Sequence, residues 1–144
     1  MPKDYPDHHD AELVLKLYEL RREPVLREAR NKMNAWFPKT ADEFMSITKP
    51  DHPDNAAFRQ VLGYWDMAFS MVRHGVIHAE FLVELSGEGL WFYSRAERFL
   101  PDLRKATSPR VFLNAEWAAN NTEFGKEAMP RFRTRIETML AAKK

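Results

Sequence analysis

The stretch FRQVLGYWDMAFSMVRHGVIHAEFLVEL, residues 58–85, decides the fold. In its first half, apolar side chains recur every three or four residues for about four turns, as on one face of a helix. They belong to Phe58, Val61, Leu62, Trp65, Ala68, Phe69 and Val72. This spacing predicts a long central helix at about residues 54–74. Gly75 is expected to end it, because glycine tolerates the positive φ of a helix C-terminus.

The rest of the chain predicts shorter helices that cover the central one. Apolar stripes at helical spacing precede it at residues 13–20 and 25–37, and follow it at 90–103 and 129–140. No segment shows the alternation of a strand, and no Asn-Gly or Asp-Gly hairpin turn occurs. We therefore predict an all-α fold, an irregular bundle of six to seven helices around the central helix.

Caps and prolines indicate where these helices begin. Residues 1–9 contain two prolines and mixed charges, so we expect a flexible N-terminal tail. Asp10 can cap the first helix, which predicts a single helical domain over residues 10–144. Pro24 either kinks one long helix or begins a second, because proline has no N–H to donate. TADE at residues 40–43 has the capping-box pattern of another helix start.

Composition narrows the class of protein. The 144 residues are 44% hydrophobic and 12% aromatic, enough for one domain with a substantial core. The absence of cysteine excludes disulfide scaffolds, thiol nucleophiles, iron–sulfur clusters and Cys-ligated zinc. A net charge of +1 argues against a field that steers nucleic acid. Neither a signal-peptide core nor an apolar run of about 20 residues occurs, so we expect a cytoplasmic protein without a membrane span.

Histidine is the first residue type to test for a site. His8-His9-Asp10 offers three possible metal ligands, but such a triplet is more often a solvated charged segment. His74 and His78 lie four residues apart, yet Gly75 stands between them and HGVIH lacks the glutamate of a zinc-binding HExxH helix. We predict no metal and no cofactor, with His74 at a helix C-terminus and His78 at the start of the next helix.

Catalytic motifs of other classes do not occur. No serine lies in a G-x-S-x-G elbow, and GEG at residues 87–89 lacks the Lys-Ser/Thr pair of a phosphate loop. A di-iron bundle needs Glu-x-x-His pairs on two helices, and the sequence has none. We therefore predict no catalytic residue.

Two basic segments, residues 21–32 and 126–144, raise the alternative of nucleic-acid binding. Glutamates interleave with the basic residues, for example Glu23 four before Arg27, which is typical of a solvent-exposed helix face. We expect no specific nucleic-acid partner. LWFY at residues 90–93 places adjacent aromatics around a helix, so some must leave the core. Trp91 and Tyr93 are therefore candidates for an interface.

Three segments within residues 17–85, about half of the chain, resemble a bacterial family of unknown function. They are YWDMAFSMVRHGVIHAEFLVEL at 64–85, LYELRREPVLREAR at 17–30 and KTADEF at 39–44. In that family a helix with an aromatic-rich start and V-x-x-G precedes a hydrophobic pair and a second short helix. The resemblance implies an all-helical fold and supplies no catalytic residue. Members often have an N-terminal membrane anchor, for which this sequence shows no apolar segment.

The lack of a recognisable site leads to the main functional prediction. We expect a soluble, non-enzymatic protein-interaction or regulatory module, with self-association as one form of that interaction. The alternative is a ligand-binding or enzymatic helical domain with a pocket near the Gly75 turn. Its polar candidates are Tyr64, Asp66, Arg73, His74 and His78.

Overall fold

The computed structural model describes residues 3–142, and within that range it is all-α, as predicted. The helices are α1 (His8–Arg21), α2 (Pro24–Asn34), α3 (Ala41–Ser46), α4 (Asn55–Arg73), α5 (Ala79–Glu84), α6 (Gly87–Ala96), α7 (Leu100–Ala106), α8 (Leu113–Asn121) and α9 (Glu123–Ala142). The ends of the predicted tail and domain, Met1, Pro2, Lys143 and Lys144, lie outside the described residues. None of the described helices combines the length and the apolar character that a membrane span requires.

The described residues contain nine α-helices, more than the six to seven expected. The stripe at 90–103 predicts one helix, but α6 ends at Ala96, a 3₁₀ turn covers Glu97–Phe99 and α7 begins at Leu100. Pro101 falls in the first turn of α7. Its missing N–H costs nothing there, because the first N–H groups of a helix have no intrahelical partner.

α4 is the central helix and spans Asn55–Arg73, within the predicted range. It packs against α2 and α8, while α9 packs against α6 and α8. Its buried residues are Asn55, Ala57, Phe58, Val61, Tyr64, Trp65, Ala68, Phe69 and Val72. Gly75 follows the helix with a φ of 76°, and the N–H groups of Val76 and Ile77 both donate to the Met71 carbonyl. This αL glycine ends the helix as the sequence predicts.

Aromatic rings fill the core beside α4. Phe112, which precedes α8, has a φ of 61°, a left-handed conformation that residues other than glycine rarely adopt. Its ring is buried, with its centroid 5.6 Å from that of Phe92 and 6.5 Å from that of Phe58. Burial of the ring on several sides holds the backbone in this conformation.

α1 begins at His8, three residues before the start that an Asp10 cap predicts, and its cap is Asp7 rather than Asp10. Asp7 accepts a hydrogen bond from the Asp10 backbone N–H, and Asp10 accepts one from the Asp7 backbone N–H. Asp10 thus occupies the inner position of a capping box, because an acid three residues earlier can serve as the cap. The Asp10 carboxylate is fully buried and also accepts from Lys3 Nζ and the His78 backbone N–H. These contacts join the N-terminal segment to the turn after α4.

Pro24 begins a second helix and does not kink a single long one. It stands at the first position of α2, and the Glu23 carboxylate accepts hydrogen bonds from the N–H groups of Val25 and Leu26. Glu23 caps the helix, because its carboxylate satisfies two N–H groups that have no partner within α2.

Candidate functional site

An apolar cleft of about 310 Å³ lies between α1, α4 and α5. Its lining residues are Val14, Leu15, Leu17, Tyr18 and Arg21 of α1, Tyr64, Trp65 and Ala68 of α4, and Leu82, Leu85 and Ser86 of α5 and its end. The α4 residues are almost completely buried and form the floor. Leu15, Tyr18 and Leu85 are 62%, 55% and 52% exposed and form the rim.

The composition of α1 explains why this rim is exposed. Only Asp10 and Leu17 of this helix are buried, although apolar side chains occur on several of its faces. Leu17 points towards the core, and its carbonyl oxygen accepts a hydrogen bond of 2.6 Å from the Tyr64 hydroxyl. Leu15 and Tyr18 lie on the cleft side of α1 and remain exposed to solvent. Exposed apolar side chains grouped around a concavity are typical of interaction sites.

Arg21 forms the polar end of the cleft, where it meets Glu88 and, through it, Arg30. Glu88, in the first turn of α6, accepts hydrogen bonds of 2.7 Å from both Nε and Nη2 of Arg30. Arg21 donates to the same carboxylate from Nη2 at 3.2 Å. Burial alone would raise the pKa of Glu88, but the hydrogen bonds and charges of Arg30 and Arg21 lower it below its usual value. The three side chains therefore carry one net positive charge.

Arg21 is the charged side chain that lines the cleft itself. Its guanidinium carbon lies 5.5 Å from the ring centroid of Tyr18 and 5.3 Å from that of Trp65. Arg21 Nε and Trp65 Nε1 are buried and have no hydrogen-bond partner among the described residues. Buried N–H groups without an acceptor are rare in proteins, and Arg95 Nη2 is a third one among the described residues.

The five predicted ligand-binding residues face three different places. Tyr64 alone lines the cleft, and burial raises the pKa of its hydroxyl to about 12, despite the nearby charges of Arg21 and Arg30. Asp66 accepts a hydrogen bond of 2.9 Å from Asn114 Nδ2, and Arg73 donates to Asn114 Oδ1 at 3.3 Å. Asp66 and Arg73 are therefore held at α8.

The two histidines of the Gly75 turn lie at helix ends, as the sequence predicts. His74 is exposed and follows the last residue of α4. His78 caps α5, because its Nδ1 accepts a hydrogen bond of 3.1 Å from the Phe81 N–H. Its Nε2 lies 3.2 Å from the Asp4 carbonyl oxygen. The structure thus does not gather the predicted candidates into one site at this turn, and ligand binding by them stays a prediction.

The predicted interface residues pack within the chain. Tyr93 is buried, its ring centroid lies 5.9 Å from that of Phe112, and burial raises the pKa of its hydroxyl. Trp91 is half-buried between the rings of Phe37 and Phe132, at centroid distances of 5.8 Å and 5.3 Å. A contact of either residue with a partner stays a prediction.

A group of possible metal ligands lies in the first turn of α1. Among the described residues, His8, His9 and Glu12 bring one ligand atom each within 4.8 Å of one another. All three are exposed. Asp10, the third ligand considered from the sequence, is buried and bound to Lys3 instead. The positive end of the helix dipole disfavours a cation at this position.

Several basic side chains of the two basic segments meet carboxylates. Arg21 and Arg30 of the first segment meet Glu88. In α9, Arg131 pairs with Glu127 at 3.2 Å, and Arg133 pairs with Glu97 at 2.7 Å. These pairs reduce the positive field that a nucleic acid would meet.

Apart from Tyr64, the residues that build the cleft were not among the sequence-based candidates. Arg21 and Glu88 are separated by 67 positions, and no local pattern connects them. In the sequence, Arg21 is recognisable only as part of the basic segment at residues 21–32. The sole sequence signal was the surplus of apolar residues in α1, where Leu15 and Tyr18 add to a stripe that Leu17 already supplies.

Comparison with protein families supports the family resemblance. A family model described as a domain of unknown function (DUF4760) matches residues 6–122, which is most of the chain. This range includes α1, α4, α5 and the residues of the cleft. No curated protein and no solved structure matches the chain. The expectation of a family of unknown function is confirmed.

Proposed function

The chain belongs to the DUF4760 family, and we propose that it is a non-enzymatic interaction module whose cleft receives apolar side chains of a partner protein. One observation carries the proposal. Leu15, Tyr18 and Leu85 surround an apolar cleft and are each more than half exposed. Burial of an apolar side chain contributes about 1.5–3 kcal/mol, so a partner that covers this rim gains a substantial driving force.

The shape of the site supports a protein partner. Helices α1 and α5 border the cleft and α4 lies beneath it, which is the arrangement that accepts a helix or an extended segment with spaced apolar anchors. The exposed rim extends the contact area beyond the cleft itself.

The polar groups around the cleft favour binding over catalysis. The Tyr64 hydroxyl donates to the Leu17 carbonyl, and the Ser86 hydroxyl donates to the Leu82 carbonyl at 2.7 Å. Glu88 accepts from two arginines. These groups are engaged in structural hydrogen bonds, whereas a nucleophile needs a base within hydrogen-bond reach. A cytoplasmic location stays a prediction from the sequence.

A peptide selection tests the proposal. A phage library of random dodecamers is selected on the immobilised full chain, and enriched peptides are then measured against a Leu15→Lys/Leu85→Lys double variant. We expect at least about a tenfold loss of affinity, because two charges on the rim oppose burial of apolar side chains. Val76→Lys is the matched control, since Val76 is 50% exposed and lies outside the cleft.

Two results would contradict the proposal. Either the library yields no peptide, or the enriched peptides bind the double variant as well as the wild type. Sedimentation of both proteins over a range of concentrations separates the two forms of interaction. A dimer that the double variant loses identifies the partner as a second copy of the chain.

A further inference from the structure

We propose that the protein segment that occupies the cleft carries an Asp or Glu side chain, which pairs with Arg21 at the polar end. The inference rests on the proposed function and adds the chemistry of the partner to it. A segment with apolar anchors and one neighbouring carboxylate matches the cleft in both shape and charge.

The charge at the polar end is incompletely compensated. Arg30 takes up the Glu88 carboxylate with two hydrogen bonds of 2.7 Å, from Nε and Nη2. Arg21 has only the longer contact of 3.2 Å from Nη2 to the same group. Two guanidinium groups thus share one carboxylate, and a second carboxylate would make the group neutral. Charge complementarity of this kind selects among partners and speeds their association.

Arg21 also has unused donors. Nη2 forms its one side-chain hydrogen bond to a described residue, and Nε is buried without an acceptor. A guanidinium presents its N–H groups in a rigid fork that matches the two oxygens of a carboxylate. The indole N–H of Trp65, on the floor of the same cleft, is a further buried donor without a partner. The fork of Arg21 thus has donor capacity that its one contact with Glu88 leaves unfilled, and a carboxylate on the occupant would supply further acceptors.

The guanidinium of Arg21 is already held in place. It lies against the rings of Tyr18 and Trp65, and the side chain is 18% exposed. Ring contacts restrict its rotamers, so less conformational entropy is lost when a carboxylate binds. Partial burial also weakens screening by salt, which strengthens the pair relative to one on the surface.

The same features favour a protein segment over other anions. A single uncompensated charge is too little for a phosphate backbone, whose binding depends on several basic contacts. A small carboxylic acid would fill the cleft but leave Leu15, Tyr18 and Leu85 exposed on the rim. A protein segment covers the rim, the floor and the charged end together.

The test is a double-mutant cycle on the peptides from the selection above. Enriched dodecamers are expected to combine apolar residues with an Asp or Glu at a fixed offset. Replacement of that acid by its amide should weaken binding to the wild type by about tenfold. The same replacement should have little effect on binding to Arg21→Gln, because the charge it meets is gone. Arg27→Gln is the control, since Arg27 is exposed and does not line the cleft.

A second variant guards against a folding defect. If Arg21→Gln unfolds, Arg21→Lys replaces it, because lysine keeps the charge but loses the fork. The acid-to-amide effect should then shrink without disappearing, and peptide affinity for the wild type should fall as salt rises.

The outcomes separate this inference from the proposed function. Peptides that need Leu15 and Leu85 but show no acidic preference, or no coupling to Arg21, overturn the inference and leave the interaction module standing. Peptides that ignore the rim overturn both. Titration with decanoate, and with decyltrimethylammonium as its cationic counterpart, tests whether a small acid occupies the cleft. If decanoate alone binds through Arg21 and no peptide does, the occupant is a small acid and the inference is wrong.

Discussion

Arg21 and Arg95 both place a guanidinium among aromatic rings, but their surroundings differ. Arg21 lines an open cleft and meets Glu88. Arg95 is 2% exposed, and its guanidinium carbon lies 5.0 Å from the ring centroid of Phe37. It has no carboxylate partner among the described residues, and burial lowers its pKa to about 10, with the distant charge of Glu88 acting against the shift.

Main-chain carbonyls take the place of a counter-ion at Arg95. Nη1 donates to the carbonyl oxygens of Met33 and Trp36, at and just beyond the end of α2, and Nε donates to that of Trp91. The C-terminus of a helix carries partial negative charge and leaves its last carbonyls unpaired. Arg95 therefore acts as a structural cap. Arg95 Nη2 is buried without an acceptor, as Arg21 Nε is, so an unpaired donor does not separate the two arginines. The comparison shows that access to the cleft, rather than residue type, distinguishes Arg21 from a structural arginine.

Loss of Arg95 should have the largest effect on stability. We expect Arg95→Met to lower the free energy of unfolding by about 2–4 kcal/mol, because the Met33 and Trp36 carbonyls lose a buried donor. Arg21→Met should cost under about 1 kcal/mol, since Arg30 still meets Glu88. Urea denaturation of both variants gives the two values. Equal effects would remove the distinction between the two arginines.

The floor of the cleft should resist any added side-chain volume. A Cβ at Gly89 would lie 2.6 Å from Trp65 and 2.8 Å from Phe69, so Gly89→Ala should destabilise the fold by about 1–3 kcal/mol. Gly63 has no atom within 4 Å of such a Cβ and lies within α4. Gly63→Ala should therefore stabilise by about 0.5–1 kcal/mol. Thermal melts of both variants test these predictions. An unchanged melting temperature for Gly89→Ala would mean that the Trp65 and Phe69 side chains move readily to accommodate the added methyl group.

Glu88 should make the Arg21 end of the cleft sensitive to acid. The pKa of Glu88 is lower in the folded protein than its ordinary value of 4.5. Ionised Glu88 therefore contributes to the free energy of unfolding above pH 4.5, and this contribution is lost as the pH falls. Glu88→Gln should cost about 1–2 kcal/mol at pH 7 and lose less stability on acidification than the wild type. Urea midpoints at pH 7, 5 and 4 test this, with Glu127→Gln as an exposed-pair control. Parallel pH profiles would mean that Glu88 contributes no acid sensitivity.

Tyr64→Phe should have a smaller effect than Arg95→Met or Glu88→Gln. Loss of the hydrogen bond to the Leu17 carbonyl costs about 0.5–1.5 kcal/mol. The pKa of Tyr64 is raised from 10.0 to about 12, so its contribution is present below pH 10 and is lost as pH rises towards 12. Tyrosinate absorbance of the variant should lack a component that titrates near pH 12. Loss of a component near pH 10 instead would place the Tyr64 hydroxyl in solvent.

Local signals predicted the fold well. The three-and-four spacing in residues 58–72, the αL glycine at Gly75 and the proline at Pro24 each depend on residues within one or two turns. They placed α4, its end and the role of His78 as a cap correctly. The start of α1 was missed, because Asp7 and Asp10 are both acceptable caps and only the burial of Asp10 distinguishes them.

The candidate site could not be predicted in the same way. The helical stripe of α1 includes Leu17 but not Leu15, yet it does not show that Leu15 borders a cleft. The sequence likewise gives no indication that Arg21 and Arg95 have different roles. Their roles depend on Glu88 and on the end of α2, which are brought to them only when the helices pack.

The sequence by itself determined the all-α class, the long central helix and most of its boundaries, because helix periodicity and capping act between neighbours along the chain. Tertiary structure alone decided which apolar residues stay exposed around the cleft and which arginine lines it. Those properties depend on contacts between segments far apart in sequence, where burial and charge pairing are settled by packing.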